Sequence, residues 1–247
     1  MESSDFDGDR AMVIRRAEES GIHVITSAID PRDYDKALDI ASAYNTVSLA
    51  VGLDPELVGQ GADALEWIRR NRKSLIAIGE TGLDHYRTRD HSVRALQEDL
   101  FKQFIAEATD AGLPIQVHSR SAGAKALDVL YRAGAEAVHM HAFDGRAGLA
   151  RTASCEHGYY FSVPTSVVRS PQKRKLVEAV DIEHLLVETD SPVLGADPTR
   201  RNEPSDIDIA IDECARILGR HRDEMQDILL ENTLRLYRSL VSKKSTS

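Results

Sequence analysis

Four residues of metal-binding type close four short apolar runs: Glu80 ends LIAIGE (75–80), His118 ends PIQVH (114–118), His141 ends AVHMH (137–141) and Asp190 ends LLVETD (185–190). Two imidazoles and two carboxylates make a mixed nitrogen and oxygen donor set that suits Zn, Mn or Mg. A carboxylate within an apolar run, such as Asp190, carries a heavy desolvation cost unless a cation or a set of donors meets it. Metal binding answers that need directly. A divalent ion also lowers the pKa of water bound to it, and a neighbouring carboxylate can take the proton, so hydrolysis needs no nucleophilic side chain. A further histidine, His139, stands two residues before His141 in VHMHAF. Strand alternation puts the two on one face, roughly 6 to 7 Å apart along the chain. His141 is the expected ligand and His139 a buried, hydrogen-bonded histidine.

Such residues meet only if the elements carrying them are arranged to converge. Seven runs rich in Val, Ile and Leu read as strands: 23–29, 47–53, 75–80, 114–118, 137–141, 159–163 and 185–190. Amphipathic stretches between them read as helices at 11–20, 34–44, 62–71, 92–111, 122–133, 149–157 and 171–179, and two more at 205–219 and 222–241 close the chain. Alternating strands and helices imply an α/β fold with a parallel sheet buried on both faces, either doubly wound or closed as a barrel. No GxGxxG follows the first strand, which takes support from the nucleotide-binding version. In a barrel, the C-terminal strand ends share one mouth, which is where the four candidate ligands would gather. One domain over 1–247 is expected at this length.

Composition narrows the function classes. Hydrophobic residues make up 42% and charged residues 29%, an ordinary globular balance. The acidic start MESSDFDGDR is unlike a secretory signal, and no apolar run approaches membrane-spanning length, so a cytoplasmic location is expected. Cys155 and Cys214 are far apart and fit two reduced thiols rather than a zinc ribbon or a disulfide framework. A net charge of −9 argues against sequence-independent coating of nucleic acid, but leaves room for a local phosphate site or a metal that supplies positive charge.

Five separated stretches, GETGLDHYR (79–87), VHSRSA (117–122), HAFDG (141–145), VETDSP (187–192) and RNEP (201–204), resemble the TatD family of metal-dependent deoxyribonucleases. Gln97, Phe101 and Asn232 extend the resemblance over most of the chain. It implies an amidohydrolase-like TIM-type barrel that hydrolyses phosphodiesters with one divalent ion (Mg, Mn or Zn), or with two. Residue by residue it makes Glu80 the metal-bridging carboxylate, His118 and His141 imidazole ligands, and Asp190 a ligand that also handles the water proton. Glu80 and Asp190 are then the catalytic pair, and the substrate is DNA, single-stranded or at its ends. Arg87, Ser119, Arg120, Arg201 and Asn202, in loops after the ligand strands, are candidate contacts to phosphate or sugar. Tyr86, beside one of these loops, is an aromatic that could stack on a base.

Two features depart from the family pattern. The family opens with a strand ending in HxH, whereas Met1 aligns just after it, so the reading expects the first barrel strand and its ligand pair to be missing, or the native start to lie upstream. In VGLDP (51–55), Asp54 stands where the family has a histidine near the phosphate, and an acid there repels phosphate unless a cation holds it. A catalytically weakened, ligand-binding relative is therefore the alternative function, and an amide- or ester-cleaving hydrolase of the same fold is a more distant one.

Overall fold

The computed structural model describes residues 1–240. The last residue of the expected closing helix, Val241, and the frayed tail expected at 242–247 lie outside the described residues. The described chain forms two compact units. One comprises Glu2 and Ile25–Gly145; the other comprises Met1, Ser3–Val24 and the chain from Arg146 onward.

In the first unit, β1 (Val24–Ala28, from Ile25 onward), β2 (Val47–Val51), β3 (Leu75–Gly82), β4 (Ile115–His118) and β5 (Val138–Met140) lie side by side in chain order. The pairs from β2 to β5 are parallel. Helices α2 (Tyr34–Ala43), α3 (Gly61–Asn71), α4 (His91–Ala111) and α5 (Gly123–Ala133) make the crossovers. Every residue of VSLAV in β2 is buried, as a parallel strand covered on both faces requires. Helix α4 starts where Asp90 accepts hydrogen bonds from the backbone of Ser92 and Val93, a side-chain cap. Its buried residues Gln97, Phe101, Phe104, Ile105 and Ala108 recur at helical spacing and make one inward stripe.

In the second unit, β6 (Tyr160–Pro164) and β7 (Leu185–Glu188) pair in parallel, with α1 (Arg10–Glu19), α6 (Ala147–His157), α7 (Pro171–Ala179), α8 (Ile207–Leu218) and α9 (Arg222–Leu236). Arg16 of α1 forks onto Glu203 at 3.1 and 2.6 Å, and Arg201 forks onto Asp9 at 2.8 and 2.6 Å. These pairs tie the start of the chain to its last third, a join that local periodicity does not reveal. Asn232, buried in α9, donates to the carbonyls of Ile182 and Leu185 at 2.8 and 2.9 Å, and so fixes the helix to the start of β7.

The α/β class, the seven strands and the nine α-helices expected from the sequence are all found among the described residues. The strand ends differ. β3 runs on to Gly82, so Glu80 lies inside the strand rather than at its end. Gly82 pairs with His118, and a Cβ at Gly82 would collide with the His118 carbonyl oxygen, so the strand continues because no side chain is there. β7 stops at Glu188 because Asp190 turns to φ 56°, and the Val193 amide then bonds the Asp190 carbonyl at 2.9 Å. Both cysteines are free, and no helix among the described residues is long and apolar enough to cross a membrane.

Replacing Asn232 with Ala strands two carbonyls beneath α9. The expected outcome is a loss of about 1 to 3 kcal/mol of stability. Urea unfolding should show it as a lower midpoint at unchanged slope.

Candidate active site

Glu80 points from within β3, His118 ends β4 and His141 follows β5. The His141 amide still bonds the Val117 carbonyl at 3.1 Å, which holds its backbone in the sheet one residue beyond the strand. The Glu80 carboxylate lies between the two imidazoles, with Oε2 3.5 Å from His141 Nε2 and 4.0 Å from His118 Nδ1. One carboxylate oxygen and two ring nitrogens thus converge at spacings that a divalent ion can draw together.

Behind His118 stands Asp84, a residue that the pattern of strand-end donors does not single out. Its side chain is fully buried, and Oδ2 lies 3.1 Å from His118 Nε2 and 2.8 Å from Arg87 Nε. Oδ1 accepts from the backbone of Tyr86 at 3.0 Å and Arg87 at 2.8 Å. Burial pushes its pKa up, but the hydrogen bonds from His118 and from the Arg87 backbone and side chain outweigh it and hold the carboxyl well below the usual range. An ionised Asp84 can only accept, so His118 carries its proton on Nε2 and donates it in a hydrogen bond to Asp84, which leaves the Nδ1 lone pair facing Glu80. A signal for it exists in GETGLD: a carboxylate in an apolar stretch needs partners, as Asp190 does.

Arg87, expected to contact substrate, is instead consumed by carboxylates. Besides Asp84 it forks onto Asp54 at 3.0 Å to each oxygen and meets Glu56 at 2.7 Å. Those bonds occupy the guanidinium fork, and they also resolve the departure at Asp54, whose charge is held by Arg87. Gln97 completes this corner: it accepts from the Asp84 amide at 3.2 Å and donates to Thr88 at 2.9 Å and to the Pro55 carbonyl at 3.1 Å.

The loops after β4 and β5 brace each other. Ser121 and Ala142 have φ 55° and 37°, a strained region for residues with a Cβ. The Ser121 amide donates to Asp144 at 2.9 Å, and buried Phe143 fills the space a Cβ on Gly145 would need. Ser119, another expected substrate contact, is only 3% exposed, and its hydroxyl has no hydrogen-bond partner among the described residues. His139 is buried, in register with Gln116, whose side chain accepts from Ser27 at 2.8 Å.

In the other unit, Asp190 sits on its left-handed turn. Asn202 is 2% exposed and donates to the carbonyls on either side of that turn, Thr189 and Val193. Asn202 is thus a clamp on the loop rather than a group open to substrate. Arg201 likewise faces inward, bonded to Asp9 and lying over the Phe6 ring at 4.7 Å. Arg120 alone of the five expected contacts is both exposed and without a carboxylate partner among the described residues.

The family described as TatD related DNase matches residues 1–238. The chain belongs to the TatD-related DNase family. A putative deoxyribonuclease, TATDN3 of Mus musculus, is 33% identical over 98% of this chain and 87% of its own length. The Homo sapiens deoxyribonuclease TATDN3 is 33% identical over 97% and 93%. Among solved structures, the TatD homologue YJJV of Escherichia coli superposes with a TM-score of 0.85 at 24% identity, covering 96% of this chain and 94% of that one, so the TIM-type fold expected from the sequence holds. An uncharacterized amidohydrolase of Saccharomyces cerevisiae reaches 0.80 at 15% identity over 93% and 92%.

In this TatD-family chain, Asp84 braces His118, Asp144 and Phe143 brace the loops after β4 and β5, and Asn202 braces the Asp190 turn. Replacing Asp84 with Asn should lower affinity for Mn or Zn by roughly 10- to 100-fold, since His118 loses the acceptor that sets its tautomer. Calorimetric titration of the folded variant reads this directly. In the same titration, His141→Ala should lose most of the binding and His139→Ala little.

Proposed function

We propose that this chain is a divalent-metal-dependent hydrolase of nucleic-acid phosphodiesters, with single-stranded or end-bearing DNA as its substrate. The observation that carries this reading is the Glu80 carboxylate set between His118 and His141, with Asp84 buried behind His118. The relatives' names point the same way: one is a deoxyribonuclease, and a relative in Erwinia amylovora, 29% identical over 90% of this chain and 91% of its own length, is a 3'-5' ssDNA/RNA exonuclease. The family match over 1–238 supports a single catalytic domain, and a cytoplasmic location belongs to the same reading.

Glu80, His118 and His141 would hold one ion of Mg, Mn or Zn, with Asp190 assigned to the same centre by its VETDSP motif. When bound, a divalent ion polarises the phosphoryl oxygen and makes water acidic enough to attack near neutral pH. The chain's own work is to hold and to move a proton. Asp84 keeps His118 in one tautomer, so that ligand needs no rearrangement when the ion arrives. Asp190 takes the proton of the attacking water. Its carboxylate is suited to this because the Asn202 clamp fixes the backbone on both sides of it, leaving few orientations to lose. Asp54 is paired with Arg87, which it shares with Asp84 and Glu56, so the guanidinium weakens its repulsion of a phosphate without cancelling it.

Chelation of the purified protein should abolish cleavage of single-stranded DNA, and adding back Mn, Mg or Zn should restore it. Asp190→Asn should lower kcat by about 10²- to 10⁴-fold with an unchanged melting temperature. Cleavage of an amide but not of DNA by the loaded wild type would replace this reading with the amidohydrolase one.

A further inference from the structure

We propose that Tyr86 and Arg120 form a fixed platform for an unpaired nucleobase, one that selects single strands over duplex; this rests on the phosphodiesterase reading above. Tyr86 is 53% exposed, one of the few large apolar side chains open to water among the described residues. The Arg120 guanidinium lies over its ring, 4.0 Å from the centroid. Exposed aromatic rings and arginines are common, but this pair is built into the ligand loops. The Tyr86 amide bonds the same Asp84 carboxylate that holds His118, at 3.0 Å. Arg120 follows His118 by two residues, and its carbonyl accepts the His85 amide at 3.0 Å. Arg94 then bonds the His85 and Thr88 carbonyls, both at 2.9 Å, bracing the Tyr86 loop from the far side. The backbones that carry the pair are thereby tied to the surroundings of His118, and the cation–π contact joins the two side chains to each other.

Charge distinguishes Arg120 from the other arginines expected here. Arg87 and Arg201 are spent on carboxylates, whereas Arg120 has none among the described residues. Its delocalised plane and the Tyr86 ring offer π-surfaces that any base can stack on, and its charge remains available to a phosphate. A base inside a duplex has both faces covered by its neighbours and cannot use such a surface. An unpaired base can, with its adjoining phosphate within reach of the guanidinium.

The test uses the full chain loaded with Mn and two oligothymidylates, one intact and one with abasic residues at its terminal positions. For Tyr86→Ala we expect KM to rise roughly tenfold on the intact strand, with kcat little changed and no effect on the abasic one. Tyr86→Trp should restore the wild-type KM. Arg120→Ala should raise KM on both strands and lower the salt dependence by about one phosphate contact, with Arg120→Lys recovering the salt response. Equal KM values for wild type and Tyr86→Ala on the intact strand, or duplex cleaved as fast as single strand, would overturn the platform. A strand carrying 2-aminopurine reads stacking without turnover: quenching by wild type and not by Tyr86→Ala supports the platform even if no strand is cleaved. Absence of cleavage alone overturns the hydrolase reading, and absence of quenching alone overturns the platform.

Discussion

A buried, ionised carboxylate sets the terms for the rest of the site. Asp84 is fully enclosed, and a charge without water is tolerated only when donors surround it. The donors are His118, Arg87 and two backbone amides of its own turn. Each of those bonds has a structural consequence. The bond to His118 sets the direction in which the ring presents its free nitrogen, the amide bonds shape the GLDHYR turn, and the bond to Arg87 draws in Asp54 and Glu56. Removing Asp84 would leave a histidine without a defined tautomer and an arginine among fewer anions.

The same logic orders the arginines of a chain with a net charge of −9. Arg87 is shared by three carboxylates, while Arg16 and Arg201 join Glu203 and Asp9 across a long sequence separation. Buried or half-buried ion pairs of this kind specify geometry more than they add stability, because desolvation consumes much of the Coulombic gain. Arg120, stacked on a tyrosine instead, keeps its charge available.

Backbone conformation follows a parallel rule. Ser121, Ala142 and Asp190 occupy the left-handed region just after β4, β5 and β7. Non-glycine residues persist there only when their surroundings impose it. For Ser121 the Asp144 carboxylate helps do so, and for the Asp190 turn the Asn202 amide does.

Much of this is legible in the residues alone. Short continuous apolar runs and helical apolar patterns locate the strands and helices, because burial on both faces of a parallel sheet leaves a continuous apolar record. Glu80, His118, His141 and Asp190 stand out because a donor group ending an apolar run gives up hydration and must find a partner to offset the loss. The strand limits at Gly82 and Glu188 are not legible, since they depend on the approach of the His118 carbonyl and on one left-handed residue. Nor are the partners of Arg87, Arg201 and Asn202: the residue type tells what a side chain can bind, not which of its candidates lies closest. Asp84 marks the boundary between the two. Its carboxyl group and apolar neighbours announce a need for donors, but only the folded chain, by bringing β4 alongside β3, decides that His118 meets it.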